Sequence, residues 1–466
     1  MRRRPTKEQF HMQLEQMVSA LRNEILDGQL LPNDYLPPEK ALAERFGMSN
    51  NSIRAGLEQL VSEGWIEKIP RVGNRVTAAR PPVKLKLLCN FAPFRNLQLT
   101  RLLDGFHRLY PWISVEAVPT QGSPGFGTDD RTLPADAVLL ENYQFQDIAE
   151  NRDHERLEPL IEKPGLYAQA TDMFRYEGLL YMQPLIFSPI VLCYNKAHFR
   201  ENGMLEPDGS WTWDDLMRAA EQLTDGKGRY GFCFHVPSKN RWPVFLLQSG
   251  ERFEWDGGRL RSLYGTKLLE GMKMCKRIIH NRKAFPMYLS ENHDDIDRMF
   301  LEGKVSMTLS SYMGMNGWKE SDIEFDVSPI PRLDEMRTLL ISLGIGISRE
   351  SAHKEETLML VDYLVSEQAQ QLISRTTLSI PTLGTLHMNE HAEDKNEANG
   401  RRPSRYMMFR EIMSSFRPHE ALNVSHDAIR KMEGELKAYW ADLLDEDELC
   451  DRLGHLLSTD RNEQIN

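Results

Sequence analysis

Residues 36–76, LPPEKALAERFGMSNNSIRAGLEQLVSEGWIEKIPRVGNRV, decide the fold of the N-terminal part of the chain. Apolar side chains recur in this stretch at steps of three and four, which predicts two amphipathic helices. The first begins at the proline pair 37–38 and ends at Gly47, and the second follows the N-cap residue Ser49 and ends at Gly64. A turn of about four residues between two helices is typical of a helix-turn-helix.

Further elements flank these two helices. Residues 10–26 have the same helical spacing, and Asp-Gly at 27–28 is a plausible stop. On the other side, WIEKI (65–69) and RVTA (75–78) have the composition of two short strands joined by a turn at 70–74. Three helices followed by a basic hairpin predict a winged helix.

This stretch resembles the DNA-binding domain of the GntR family of bacterial regulators, whose usual pattern is LPSERELAExxGVSRxTVRxALxxLxxEGLVxxxxGxGxxV. The chain departs from the pattern at Pro38, Lys40 and Asn50, where the family has serine, arginine and arginine. The resemblance implies double-stranded operator DNA as a partner and a role in transcription. Repression is the more usual role of such heads, and activation is equally consistent with these residues. The residues in register with the pattern are Leu36, Pro37, Glu39, Leu42, Ala43, Gly47, Ser49, Arg54, Leu57, Leu60, Gly64, Gly73 and Val76.

The start of the second helix is expected to read bases. Because an asparagine side chain can bond adenine through two atoms, Asn50 and Asn51 predict a preference for adenine, although a solvated helix face also explains them. Basic side chains of the head are expected to bind phosphates. A homodimer is expected, because one winged helix binds a half-site only modestly. The predicted DNA contacts are Lys40, Ser49, Asn50, Asn51, Ser52, Arg54, Arg71, Asn74 and Arg75.

Charge and composition limit the remaining possibilities. The net charge of the 466 residues is -11; residues 1–82 carry +2 and the rest -13, so the body is not expected to bind nucleic acid non-specifically. No apolar run is long enough to span a bilayer, and no apolar segment follows the N-terminal arginines, so we expect a cytoplasmic protein without membrane contact. The 5 cysteines form no CxxC pair and are expected to be buried thiols.

Pro81 and Pro82 mark the domain boundary, because they stiffen a short extended connector. We therefore predict a winged-helix domain over 1–77, a linker over 78–84 and a body over 85–466. Strand-like and helix-like segments alternate along the body, which predicts an α/β domain with a parallel sheet covered on both faces, followed by a helical C-terminal segment.

The order of short motifs in the body resembles the extracellular solute-binding proteins that deliver sugars to ABC importers. The resemblance implies two α/β lobes joined by crossing strands, with a small carbohydrate held in the cleft between them. The matching pieces, over residues 84 to 390, are FHRLYPWISVEAVP, ADAVLL, LCYNKAHFRENGM, WTWDDLMRAAEQLTDGKGRYGF, MFLEGKVSMTLSS, VSPIP and ISRESAHKEETLMLVDYLVSEQAQQLIS before IPTLG.

A sugar site needs aromatic faces that stack on pyranose rings and short polar side chains that bond hydroxyls. Residues at predicted strand ends and in loops are the candidates, and ordinary packing is the alternative for each. The predicted ligand contacts are Glu141, Asn142, Phe187, Ser188, Trp242, Tyr312 and Trp318, whereas Trp211, Trp213 and Trp440 are expected to pack in the core.

Nothing in the sequence predicts an enzyme. HExxH, GxxxxGK[ST] and GxSxG are absent, no cofactor is expected, and His293 beside two aspartates is better explained by a charged helix start than by a metal. The sequence therefore predicts a ligand-responsive regulator. The alternatives are a binding component of an ABC importer and a GntR-type regulator that binds pyridoxal phosphate.

Overall fold

The computed structural model describes residues 7–26, 29–77, 82–120, 135–288, 290–388 and 402–465. Its N-terminal part, here called the head, is a winged helix, as the sequence predicts. The predicted stop at 27–28 lies outside the described residues. The elements of the head are α1 (Lys7–Leu26), α2 (Glu39–Phe46), α3 (Asn50–Ser62), β1 (Ile66–Ile69) and β2 (Gly73–Val76).

Local signals in the sequence set the helix-turn-helix. Gly47 ends α2 with φ of 65°, a left-handed conformation that glycine adopts without a steric penalty. Ser49 then caps α3 by accepting a hydrogen bond from the backbone N–H of Ser52. Helices α1 and α3 approach closely at Gly56, where an added Cβ would lie 2.0 Å from the Cε of Met17. The turn and the close approach together fix the orientation of α3.

The wing differs in detail from the prediction. Gly73 and Asn74 were expected in the turn but belong to β2, which pairs antiparallel with β1. A segment before α2 adds to this ribbon, because the N–H of Leu36 donates to the carbonyl of Asn74 at 2.9 Å. This segment is too short to show the alternation of a strand in the sequence, so its pairing with β2 is evident only in the structure.

The rest of the chain, here called the body, begins at strand β3, so residues 83–84 of the predicted linker belong to a strand. The strands of the body are β3 (Val83–Cys89), β4 (Ile113–Pro119), β5 (Ala137–Glu141), β6 (Arg175–Tyr176), β7 (Leu179–Leu180), β8 (Met182–Asn195), β9 (Tyr230–Cys233), β10 (Trp255–Asp256), β11 (Arg259–Leu260), β12 (Val305–Ser311), β13 (Phe325–Ser328), β14 (Thr338–Ile347), β15 (Ile380–Pro381) and β16 (Phe416–Arg417).

The helices of the body cover the sheet and form its C-terminal segment. Short 3₁₀ turns occupy Asp153–Arg156, Gly314–Trp318, Tyr406–Arg410, Met413–Ser415 and His419–Leu422. The α-helices are α4 (Ala92–Asn96), α5 (Leu99–Leu109), α6 (Asn142–Glu150), α7 (Ala168–Asp172), α8 (Lys196–Glu201), α9 (Trp213–Leu223), α10 (Pro243–Leu247), α11 (Lys267–His280), α12 (His293–Leu301), α13 (Lys354–Leu364), α14 (Glu367–Thr376), α15 (Gly384–Met388), α16 (His426–Trp440) and α17 (Glu446–Ile465).

Two long strands connect the two lobes of the body. The sheet order is β4-β3-β5-β14-β8-β12-β9, with β13 and β15 beside β8 and β16 beside β14. We call the part built on β3, β4 and β5 the N-terminal lobe and the part built on β9, β12 and β13 the C-terminal lobe. The first half of β8 pairs with β14 and its second half pairs with β12 and β13, so one strand passes from lobe to lobe.

The sheet of the body differs from the predicted parallel sheet. The sheet is mixed, because β14 runs antiparallel to both β5 and β8. Strand β8 at its centre is long, and its 14 residues are all buried. Helices α13 and α14 follow β14 in the chain and are separated by Ser366, the N-cap of α14.

Thr212 is a suitable position for testing the local signals in the body. Its Oγ1 accepts from the N–H of Asp215 at 3.2 Å, and the Asp215 carboxylate accepts from the N–H of Thr212 at 2.8 Å. We expect Thr212→Ala to lower the free energy of unfolding by about 1 kcal/mol, because the first turn of α9 loses its cap. Urea unfolding followed by circular dichroism measures the loss. Thr212→Ser is the matched control, and an equal loss in both variants would contradict the capping role.

Candidate functional site

The outer face of α3 presents the predicted base-reading residues. Asn50 and Asn51 are exposed at the start of the helix, and Lys40 is exposed on α2. Ser49 and Ser52 are engaged with each other, since their hydroxyl oxygens lie 2.8 Å apart and Ser52 is buried. The two asparagines are therefore free to contact bases, whereas the two serines hold the helix start in place.

Two of the predicted phosphate-binding arginines form ion pairs within the head. Arg54 donates from Nε to Glu39 at 2.7 Å, and Arg75 donates from Nε to Glu67 at 2.8 Å. Both pairs are largely exposed, so exchanging a carboxylate for a phosphate costs little. Arg71 is exposed at the tip of the wing with φ of 65°. The remaining predicted contact, Asn74, lies in β2 opposite Lys68.

Arg54 provides a test of the DNA-binding surface. We expect Arg54→Ala to weaken binding to all duplexes and to flatten the slope of log affinity against log salt by about one unit, because one phosphate contact is lost. Fluorescence anisotropy at several salt concentrations measures both quantities. Arg218→Ala, which removes an exposed arginine from α9 of the body, is the matched control. An unchanged slope in the Arg54 variant would exclude a phosphate contact there.

A second polar site lies between the lobes of the body. Glu141 ends β5, and Asn142 begins α6, so both stand at the carboxyl end of a strand of the N-terminal lobe. Asn142 is buried, and its Oδ1 accepts from the backbone N–H of Ser342 on β14 at 2.9 Å. The predicted pair therefore contacts a crossing strand directly, with Asn142 anchoring the loop and Glu141 half-buried beside it.

The C-terminal lobe places a buried guanidinium opposite Glu141. Arg241 is 4% exposed, and it donates from Nε to the carbonyl of Leu309 at 2.9 Å and from Nη1 to the carbonyl of Asn240 at 3.1 Å. Burial lowers the pKa of Arg241 to about 10, against the opposing effects of Asp297 and Glu141. The backbone holds this guanidinium in a fixed orientation, and its charge faces carboxyl groups from both lobes.

Both carboxyl groups hold protons more strongly than free carboxyls do. Burial raises the pKa of Glu141 to about 7, and the nearby Arg241 opposes the rise. Burial likewise raises the pKa of Asp297 to about 6, opposed by the Trp318 side chain, Arg241 and Arg95. Near neutral pH the cluster therefore contains protonated and ionised carboxyls together, and it can both donate hydrogen bonds to a ligand and accept them.

Neutral imidazoles and hydroxyls continue the polar lining on the C-terminal lobe. Burial lowers the pKa of His293 to about 2, and its Nε2 lies 2.9 Å from Ser238 Oγ. His235 lies 2.8 Å from Ser290 Oγ through Nδ1, and burial also lowers its pKa. Uncharged groups of this kind can form hydrogen bonds with the neutral hydroxyls of a ligand without favouring a charged ligand. Among the described residues, no group of three His, Cys, Asp or Glu side chains is arranged to hold a metal ion.

The aromatic residues predicted to contact the ligand are packed tightly in the structure. Trp242 is 2% exposed and meets Trp440 at a centroid distance of 6.5 Å. Trp318 packs between Phe300 and Phe325, and of these predicted aromatic residues it is the one beside Asp297. Trp213 and Trp440 are buried, as expected for core residues, and Trp211 is half-buried.

Phe187, Ser188 and Tyr312 form one cluster beside the crossing strands. Ser188 Oγ accepts from the N–H of Tyr312 at 2.7 Å, and the Tyr312 hydroxyl donates to the carbonyl of Tyr406 at 2.9 Å. Phe187 packs edge to face on Tyr167 with ring centroids 5.0 Å apart. All three predicted residues are buried, so the structure gives them packing contacts, and ligand contact through them stays a prediction.

Sequence reasoning missed the charged residues of the cleft. Arg241 adjoins the tryptophan chosen at 242, and Asp297 lies in α12, but neither position has a periodicity that distinguishes it from other charged residues. A buried arginine between two lobes becomes recognisable only once the lobes are assembled.

The described helices contain none that is long and apolar enough to cross a membrane.

The fold and these two sites define a winged-helix DNA-binding head joined to a two-lobed solute-binding body. The chain belongs to the bacterial extracellular solute-binding protein family, whose model matches residues 127–396, and its head matches the bacterial regulatory proteins of the gntR family over residues 13–76. The predicted fold class and both resemblances are thereby confirmed.

Individual relatives each match a limited part of the chain. A binding protein of Brucella abortus (strain 2308) is 25% identical over 197 residues, covering 40% of this chain and 47% of that protein, so the match spans less than half of the relative. The arabinose metabolism transcriptional repressor of Geobacillus stearothermophilus is 32% identical over 71 residues, which is 15% of this chain and 19% of that repressor.

The body is also similar to a solved structure. An ABC substrate-binding protein from Listeria monocytogenes in complex with cycloalternan superimposes with a TM-score of 0.68 at 18% identity, covering 82% of this chain and 99% of that chain. At this identity the likeness establishes the two-lobed fold of the body.

Glu141 gives the cleft a pH dependence. Its pKa is raised from 4.5 to about 7, so the folded protein holds the proton more tightly than the unfolded chain does. The resulting stabilisation is complete below pH 4.5 and is lost as the pH rises through 7. Glutamine stays neutral at every pH. We therefore expect the free energy of unfolding of Glu141→Gln, relative to that of the unmodified chain, to increase by about 2–3 kcal/mol when the pH is raised from 5 to 8.

Urea unfolding of the two proteins at both pH values measures this difference, and other titrating groups cancel in the comparison. Glu254→Gln, at a side chain that is 60% exposed, is the matched control and should show no such change. A difference for Glu141→Gln that is the same at both pH values would mean that this carboxyl is ionised throughout.

Proposed function

We propose that the protein is a ligand-responsive transcription regulator of bacteria that acts in the cytoplasm. The head binds operator DNA as part of a homodimer, and the body binds a small carbohydrate in the cleft between its lobes. The single observation that carries this proposal is the presence, in one chain, of a gntR-type head with an exposed reading helix and of a two-lobed solute-binding body.

The composition of the cleft supports a polyhydroxylated ligand. Arg241 supplies a fixed fork of donors, Glu141 and Asp297 supply carboxyls near their pKa values, and His293 supplies a neutral ring. Sugars need such mixed donors and acceptors at short range. The Listeria relative of the same fold was solved with the oligosaccharide cycloalternan, which is consistent with this ligand class.

The exposed face of α3 supports the DNA-binding role. Asn50 and Asn51 stand where a recognition helix presents its first residues to the major groove, and Arg54, Lys40 and Arg71 are placed to bind the phosphates on either side. The Geobacillus relative is named as a repressor of arabinose metabolism, which favours repression relieved by a sugar.

The proposal predicts a coupling between saccharide and DNA. Duplexes selected from a random library by the purified protein provide the DNA, and thermal-shift screening of neutral di- and oligosaccharides provides the ligand. A saccharide at 100 times its dissociation constant adds about 2.7 kcal/mol of stability. We expect the same saccharide to change the DNA affinity by about 5–150-fold in an anisotropy titration, which corresponds to ordinary allosteric coupling.

Two variants separate the functions of head and body. Arg241→Lys keeps the positive charge in the cleft but loses the planar fork of guanidinium donors. We expect this variant to lose saccharide binding while its DNA affinity without ligand is unchanged. The head variant Arg54→Ala should show the opposite pattern. If saccharide binds but does not change the DNA affinity, the body is a solute-binding domain that is not coupled to the head. If no duplex is selected from the library, the protein is not a DNA-binding regulator.

A further inference from the structure

The head contacts the body through aromatic side chains at the base of the wing. Trp65 immediately precedes β1, and Trp112 immediately precedes β4 of the N-terminal lobe. Their rings meet edge to face with centroids 4.5 Å apart, and Tyr110 packs on Trp112 at 5.4 Å. Both tryptophans are buried. We call Trp65, Trp112 and Tyr110 the aromatic latch.

An ion pair of the head lies beside the same tyrosine. Arg22 on α1 is 1% exposed and donates from Nε to Glu63 at 2.9 Å. The pKa of Tyr110 is raised by burial and by the charge of Glu63, and Arg22 opposes the rise. The phenol of the body is thus close to both members of the pair. The latch therefore combines an apolar contact with an electrostatic one.

The latch continues into the N-terminal lobe through closely packed rings. Tyr110 lies 5.0 Å from Phe106 on α5, and Phe106 lies 5.6 Å from Tyr363 on α13. Helices α5 and α13 approach so closely that a Cβ at Gly105 would lie 2.1 Å from the Tyr363 hydroxyl. Helix α13 in turn contacts β14, one of the two crossing strands. In close packing of this kind, a displacement of one helix or strand is passed directly to its neighbour.

We infer that the aromatic latch joins the head to the N-terminal lobe as one rigid unit. In the described parts of the chain, the ring contacts that connect head and body fall on this lobe. Closure of the cleft then moves the C-terminal lobe relative to the DNA-reading helices, and the paired heads of a dimer respond to that movement. The regulatory consequence rests on the proposed function, whereas the rigid unit itself depends on neither ligand nor DNA.

Hydrogen exchange of the full chain tests the rigid unit without ligand or DNA. In Trp112→Ala we expect amides of α3 and of the β1–β2 hairpin to exchange about two- to tenfold faster, because an aromatic pair that stabilises the head is lost. Amides of α9 in the C-terminal lobe should keep their rates. Unchanged rates in the head of the folded variant would overturn the inference.

The control removes a tryptophan elsewhere in the body. Trp211→Ala deletes a half-buried ring that packs on Phe199 in the C-terminal lobe, and it should leave exchange in the head unchanged. If Trp112→Ala does not fold, Trp112→Phe keeps a smaller ring in place and should give a smaller acceleration confined to the head. Equal acceleration in the head and in α9 would indicate general destabilisation and overturn the inference.

A second measurement tests the regulatory consequence. Once a saccharide that alters DNA binding is known, the latch variant should keep its affinity for saccharide and for DNA separately but lose the effect of one on the other. Persistence of the full effect in Trp112→Ala would show that the signal bypasses the latch. Failure to find any saccharide would count against the proposed function, while the exchange result on the rigid unit would stand.

Discussion

The structure of the body depends on the burial of two crossing strands. All 14 residues of β8 and all 10 residues of β14 are buried, and each strand pairs with elements of the sheet on both sides. A strand in this position must satisfy its backbone groups through neighbouring strands, because no water reaches them. The two crossing strands therefore hold the lobes together through continuous backbone pairing.

Polar side chains at the crossing point add a second constraint. Ser342 on β14 is buried, and its N–H and hydroxyl bond Asn142 of the N-terminal lobe and the carbonyl of Ile186 on β8. Ser188 on β8 similarly accepts from Tyr312, which follows β12 of the C-terminal lobe. Each lobe is thus hydrogen-bonded directly to a crossing strand, which ties the residues beside the cleft to the place where the lobes join.

The head could be predicted from sequence almost completely, because its signals are local. Gly47 and Ser49 set the helix boundaries through backbone conformation and capping, which act within a few residues. In the body the cap Thr212 sets the start of α9 in the same local way, but no local signal sets the mixed sheet. Whether an apolar strand pairs parallel or antiparallel depends on partners more than a hundred residues away, as with β14 and β8.

The candidate sites differ in the same way. Asn50, Asn51 and Arg54 could be placed because a recognition helix exposes a fixed face, and the structure leaves that face open. In the cleft, Glu141 and Asn142 were chosen from their predicted position at a strand end, and the structure places them at the end of β5. The aromatic residues were chosen by residue type, and type alone does not distinguish a ring that lines a cleft from one that fills a core. Arg241 was missed because its importance comes from burial between two lobes.

The ring contact between head and body is of a strength that suits regulation. An edge-to-face aromatic pair such as Trp65 and Trp112 contributes about 0.5–1.5 kcal/mol beyond the area it buries. Coupling between a ligand and DNA is typically about 1–3 kcal/mol, which is of the same order. A head on a free tether would transmit nothing, whereas a head held on the N-terminal lobe keeps its orientation to that lobe while the C-terminal lobe moves. In the proposed regulator, a ligand that binds the closed cleft more tightly than the open one therefore biases the position of the C-terminal lobe relative to the heads.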